Sequence, residues 1–112
     1  MINNELIERI LKFRDDRQWK QFHNPKDLAI SICLEASELL EIFQWSGRDL
    51  NGTDKLTEIA EELADVVIYC VLMADATGLN IQEIMESKLD ANEQKYTLEK
   101  AHGNSKKYTE LE

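Results

Sequence analysis

Four carboxylates stand at spacings that could do chemistry. Glu35 and Glu38 lie three apart in LEASELLEIFQW, residues 34–45, and Glu62 and Asp65 lie three apart in EIAEELADVVIY. A helix turns a step of three by about 60° while rising about 4.5 Å, so both acids of a pair reach toward one point. Both pairs are set in apolar sequence, where an uncompensated carboxylate is costly. If the two helices are neighbours, four acids share one space. Their repulsion is relieved if several stay protonated, or if hard cations occupy the gap. Oxygen-only ligands suit magnesium, with manganese as a substitute, rather than zinc. Glu61 is expected on the solvent side. Glu41 is expected either beside the four acids or in solvent.

A di-iron carboxylate bundle is the competing metal chemistry, and it needs Glu-x-x-His on two helices. The chain offers that spacing at Glu99 and His102, in its polar C-terminal stretch, and the two acid-bearing segments contain no histidine. Redox chemistry is therefore set aside.

The elements that must position the acids read as four helices. The first runs from about Asn4 to Trp19, with Leu6, Ile10, Phe13 and Arg17 on one face. The second starts at Asn24 as N-cap, with Pro25 in the first helical position and Asp27 at the positive end of the dipole, and runs to about Trp45. Its LAISICL stretch is apolar almost all round, which predicts a central helix. The loop SGRDLNGT is short enough to make the next helix an antiparallel neighbour. That third helix is expected from about Asp54, capped by Thr53, to Thr77, with Gly78 ending it. Asn80 and Glu83 resemble a capping box, and Leu79 and Ile84 a hydrophobic staple, for a fourth helix reaching about Tyr96. The fold class is all-α: a four-helix bundle-type protomer over residues 1–97, assembling into a homo-oligomeric bundle. Residues 98–112 form a polar tail, expected to be extended or partly disordered in isolation.

The bulk numbers agree with one modest domain: 112 residues, 43% hydrophobic and 31% charged, with one proline and four glycines. The net charge of −9 argues against binding bare nucleic acid, which needs a basic face. An acidic chain can still take a polyphosphate if divalent ions lie between them. Cys33 and Cys70 fall in separate apolar runs, as expected in a reducing compartment. The opening MINNELIERILKF has no signal-type apolar block, and no stretch is long enough to span a bilayer. A cytoplasmic, non-membrane protein is expected.

Glu35-x-x-Glu38, a spacer of 23 residues, then Glu62-x-x-Asp65 resembles the MazG-like all-α nucleoside triphosphate pyrophosphohydrolases. RQWKQFHNPKDLAISICLEASELLEIFQW, EELADVVIY, KLDANEQKY and the terminal SKKYTEL resemble the dCTP pyrophosphatase branch, in the same order. The likeness runs over about residues 5 to 111. It implies magnesium-dependent cleavage of a deoxynucleoside triphosphate to the monophosphate and pyrophosphate, with dCTP-like or modified nucleotides first. Such a reaction clears unwanted nucleotides from the pool.

By this resemblance Glu35, Glu38, Glu62 and Asp65 would be metal ligands and catalytic groups, with Glu38 favoured as proton acceptor. Trp19 and Trp45 would form the base pocket, their places at helix ends suiting a rim. Tyr69, one turn beyond Asp65, would pack on the sugar and crowd a 2′-hydroxyl. Lys88 and Asn92 would meet the phosphates, with Tyr96 four further along the same face. His23, Lys106 and Lys107 are further candidate contacts. The family implies a homotetramer, a dimer of dimers with sites lined by more than one chain, and the all-round apolar second helix independently allows it. Two positions depart from the dCTP branch. Ile10 stands where those relatives carry a base-reading histidine, nine positions before the tryptophan, and Tyr96-Thr97 replaces Tyr-Pro. A base range broader than dCTP is expected. Two rival readings are a non-catalytic acidic helical module that binds nucleotide or a partner, and a relative acting on dUTP or a phosphoribosyl-ATP-type substrate.

Overall fold

A computed structural model describes residues 2–103 and 105. Among them are five α-helices and no strand: α1 (Asn4–Asp16), α2 (Pro25–Glu41), α3 (Leu56–Thr77), α4 (Ile81–Lys95) and α5 (Leu98–Ala101). The all-α expectation holds. No single helix among the described residues is long and apolar enough to cross a membrane. The chain divides into two compact units, Met1–Leu79 and Asn80–Glu112.

In the first unit α2 and α3 pack along each other, and α1 lies against α3. The start of α2 is as the sequence predicts: Asn24 caps it, its side chain accepting from the Asp27 N–H at 2.9 Å, with Pro25 opening the helix. Helix α2 ends at Glu41, earlier than expected, and the chain turns through residues 42–45. The connection to α3 is pinned from both sides. The Asp49 carboxylate accepts from the Asn51 and Gly52 N–H groups, and Lys55 Nζ donates to the Ile42 carbonyl at 3.1 Å. Gly52 has φ +57°, and a Cβ there would lie 2.9 Å from the Phe43 ring, so only glycine fits. Thr53 does not cap α3. It opens a 3-10 turn, Thr53–Lys55, and α3 begins at Leu56 without a side-chain cap. At the other end Gly78, left-handed, closes α3 as expected.

The apolar core of this unit is small: Leu28, Val71, Leu72 and Ala74 are buried. Burying a leucine fully contributes about 1.5–3 kcal/mol, so one polar interaction matters. Arg14, 4% exposed, donates from Nη1 to Asp75 at 2.6 Å and from Nε to Asp15 at 2.8 Å. The pair ties α1 to α3 and holds Arg14 charged; its guanidinium is raised above its ordinary value, first by the Asp15 hydrogen bond. Much of α2 remains exposed, including Ile30, Leu34 and Leu40, and so do Leu56, Leu63 and Val67 of α3. The LAISICL segment is therefore not enclosed within one chain.

In the second unit Asn80 caps α4, accepting from the Glu83 N–H at 3.0 Å. At the start of the polar stretch 98–112, Leu98–Ala101 form the short helix α5 rather than extended chain.

Candidate active site

The first-unit helices bring the predicted acids together. Oxygens of Glu35 on α2 and of Glu62 and Asp65 on α3 all lie within 4.8 Å of one another. Oε2 of Glu35 and Oε2 of Glu62 are buried and meet no hydrogen-bond partner. Orphaned carboxylate oxygens need a proton or a cation. Glu38 is exposed and stands beside the trio. Its shared hydrogen bond is the largest cause that pushes Glu62 up to about 7, followed by desolvation and the charges of Glu38, Asp65 and Glu35. Glu35 is raised too, first by desolvation and then by Glu38 and Asp65. Glu41, Glu58 and Glu61 are exposed.

Clustered carboxylates of which Glu35 and Glu62 are both raised, and each of which keeps a buried oxygen without a partner, fit a hard divalent cation. Glu35, Glu62 and Asp65 have the donor set for it.

Beside the acids lies a cavity of about 530 Å³. Glu35 and Asp65 contribute to its wall, as do Trp19, His23 and Tyr69 from the sequence prediction. The rest of the lining is mostly aliphatic or aromatic: Leu6, Ile10, Phe13, Ile68 and Leu72. His23 Nδ1 is buried without a partner. Burial, and then the nearby Arg14 charge, lower the His23 pKa, so a neutral imidazole faces the cavity at neutral pH.

Among the described residues, the other candidates are not part of this cavity's lining. Trp45 is 88% exposed in the turn after α2. Lys88 and Asn92 are on α4 and Tyr96 follows its end, its N–H donating to the Asn92 carbonyl at 2.8 Å. These three belong to the second unit. Lys106 and Lys107 fall outside the described residues.

A family model described as MazG-like matches residues 30–111, which include both acid pairs. The chain belongs to the MazG-like family. It is 34% identical over 105 residues to dCTP pyrophosphatase 1 of Mus musculus and 35% identical over 105 residues to that of Homo sapiens, in each case over 89% of this chain. It spans 62% of the length of these curated relatives. A crystal structure of a pyrophosphatase from Archaeoglobus fulgidus DSM 4304 superposes with a TM-score of 0.76 at 41% identity, covering 83% of this chain and 90% of that one.

In this MazG-like chain the cavity also uses residues that the sequence left unassigned. Arg14 lines it, and its partner Asp75 lies 61 positions away, beyond any local pattern. Phe13 lines it too. Its pairing with Trp19 was hidden because α1 has no glycine to mark its end. The helix stops at Asp16 because Gln18 takes the left-handed conformation, φ +55°. Ile10, where the dCTP branch carries a histidine, does reach the cavity and presents only hydrocarbon.

Proposed function

We propose that this chain hydrolyses deoxynucleoside triphosphates, dCTP-like or base-modified ones first, to the monophosphate and pyrophosphate. A single observation carries the reading. Glu35 and Asp65 belong both to an acid cluster suited to a divalent ion and to the wall of a largely apolar cavity. Triphosphate at the acids would leave the base in that cavity.

Magnesium, held by Glu35, Glu62 and Asp65, would neutralise phosphate charge and polarise the phosphoryl group when bound. The chain's own groups do the rest. Glu38, outside the trio and exposed, accepts a proton from the attacking water. The water oxygen bonds to one phosphorus of the α–β bridge as that phosphorus loses its bond to the bridging oxygen. The electron pair leaves on that oxygen, carried off by pyrophosphate if the α phosphorus is attacked or by the monophosphate if the β phosphorus is attacked. Trp19 offers its indole face to the base. Tyr69 stands one turn past Asp65, where its ring would meet the sugar and crowd a 2′-hydroxyl. His23 supplies one neutral hydrogen-bonding atom. With Ile10 in place of a polar reader, base choice rests on shape and stacking more than on hydrogen bonds.

Lys88, Asn92 and Tyr96 follow one another at steps of four, and we assign the first two to the phosphates. Exposed apolar side chains on α2 and α3, together with Trp45, call for covering by further copies of the chain. A homotetramer, a dimer of dimers with Trp45 in a shared site, meets that need. A cytoplasmic place fits two unpaired thiols, Cys33 and Cys70.

The test is incubation with dCTP and magnesium, with products resolved by chromatography. Pyrophosphate and dCMP are expected, and Glu38→Gln or Asp65→Asn should abolish turnover with helicity intact. Orthophosphate with dCDP would refute the reaction. No turnover of any dNTP, with no magnesium-dependent thermal shift, would favour the non-catalytic module that the exposed apolar faces also suit.

A further inference from the structure

We propose that Arg17 is a positioning residue that holds the Trp19 indole, through Phe13, as the wall of the nucleotide cavity. The inference rests on the substrate reading above but concerns a side chain outside the cavity lining.

The end of α1 is a Schellman turn. The Trp19 N–H donates to the Arg14 carbonyl at 3.1 Å and the Gln18 N–H to the Asp15 carbonyl at 3.0 Å. Such turns bring the second residue past the helix cap onto the last full turn, and here Trp19 meets Phe13. The two ring centroids lie 5.6 Å apart at 80°, an edge-to-face pair. The left-handed residue of this turn is Gln18 rather than glycine, and Gln21 Nε2 bonds the Gln18 carbonyl at 2.9 Å. The backbone thus fixes where Trp19 begins.

It does not fix the indole. Trp19 is 44% and Phe13 49% exposed, so surrounding side chains do not clamp either ring. Arg17 supplies the missing restraint. Its guanidinium lies 3.8 Å from the Phe13 ring centroid and 6.0 Å from that of Trp19. Its Nη1 also donates to the Phe13 carbonyl at 3.0 Å, which anchors the head group. A planar cation over a half-exposed ring is an attraction that water does not remove. Stack and hydrogen bond together hold Phe13, and Phe13 holds the edge of Trp19. A base stacking on Trp19 then meets a ring already in place, so less ordering opposes binding.

The experiment compares the full chain with Arg17→Gln and Arg17→Lys, scoring dCTP kinetics with Trp45 in place. The near-ultraviolet circular dichroism of Trp19 is read separately in a Trp45→Phe background, where only the spectrum is used. Arg17→Gln should raise KM about two- to fivefold with kcat retained, the scale of one exposed cation–π contact. It should also weaken the indole signal, and Arg17→Lys should fall between. Parent-like KM and dichroism in Arg17→Gln, or a fall in kcat at constant KM, would overturn the assignment. Should the parent turn over no dNTP, the function fails, and the dichroism alone still decides whether Arg17 orders the ring.

Discussion

The coupling of protons to metal at Glu62 yields a prediction with a worked size. A cation binds the ionised carboxylate, so protonation competes with it. With Glu62 near 7 instead of 4.5, about one-eleventh of it is ionised at pH 6 and about ten-elevenths at pH 8. Apparent affinity for magnesium or manganese should therefore rise about tenfold between those two pH values. A carboxyl at the ordinary value is fully ionised throughout and would give a flat profile. Isothermal titration of manganese into metal-free protein at pH 6, 7 and 8 measures this directly. In Glu38→Gln the hydrogen-bonded acid that raises Glu62 is gone, and the slope should flatten. The fold responds in the opposite sense without metal. Because Glu62 lies above its ordinary value, its protonation contributes stability that is complete below about 4.5 and lost as pH rises through about 7. Metal-free protein should melt at lower temperature over that window, and saturating magnesium should suppress the trend. An affinity that is flat from pH 6 to 8, or that falls, would show that Glu62 does not exchange a proton for the cation.

Other outcomes follow from the same contacts. Asp75→Ala leaves the buried Arg14 guanidinium with Asp15 alone and should cost about 2 kcal/mol in urea unfolding. Asn24→Ala removes the cap of the helix that carries Glu35 and Glu38 and should cost about 1 kcal/mol by the same measurement. Trp19→Ala should weaken nucleotide binding by about 1–3 kcal/mol, seen as a higher KM. Tyr69→Ala should narrow the preference for dCTP over CTP, read from the two kcat/KM values.

Some of this molecule was written in near neighbours along the chain. Asn24, Pro25 and Asp27 start α2, Asn80 starts α4 and Gly78 ends α3, because caps and turns act within four or five residues. The pairs Glu35-x-x-Glu38 and Glu62-x-x-Asp65 fixed which acids could converge, since a helix dictates which of its side chains share a face. Several local signals misled. Thr53 opens a 3-10 turn rather than capping α3, and α1 ends at Asp16 through a left-handed Gln18, where a glycine would have been the legible sign.

Only tertiary structure decided the rest, for a physical reason: burial and charge depend on what another helix brings. Glu62 is raised because Glu38 comes from α2, and nothing near Glu62 in sequence announces that. Arg14 reads as a surface arginine until Asp75 and the wall of α3 enclose it. Two tryptophans look alike in the sequence, yet folding seats Trp19 on Phe13 beside a cavity and leaves Trp45 in the open. The sequence by itself determined which groups could act. The packing of α1, α2 and α3 determined which of them share a space, because distances between helices are set by side chains far apart in the chain.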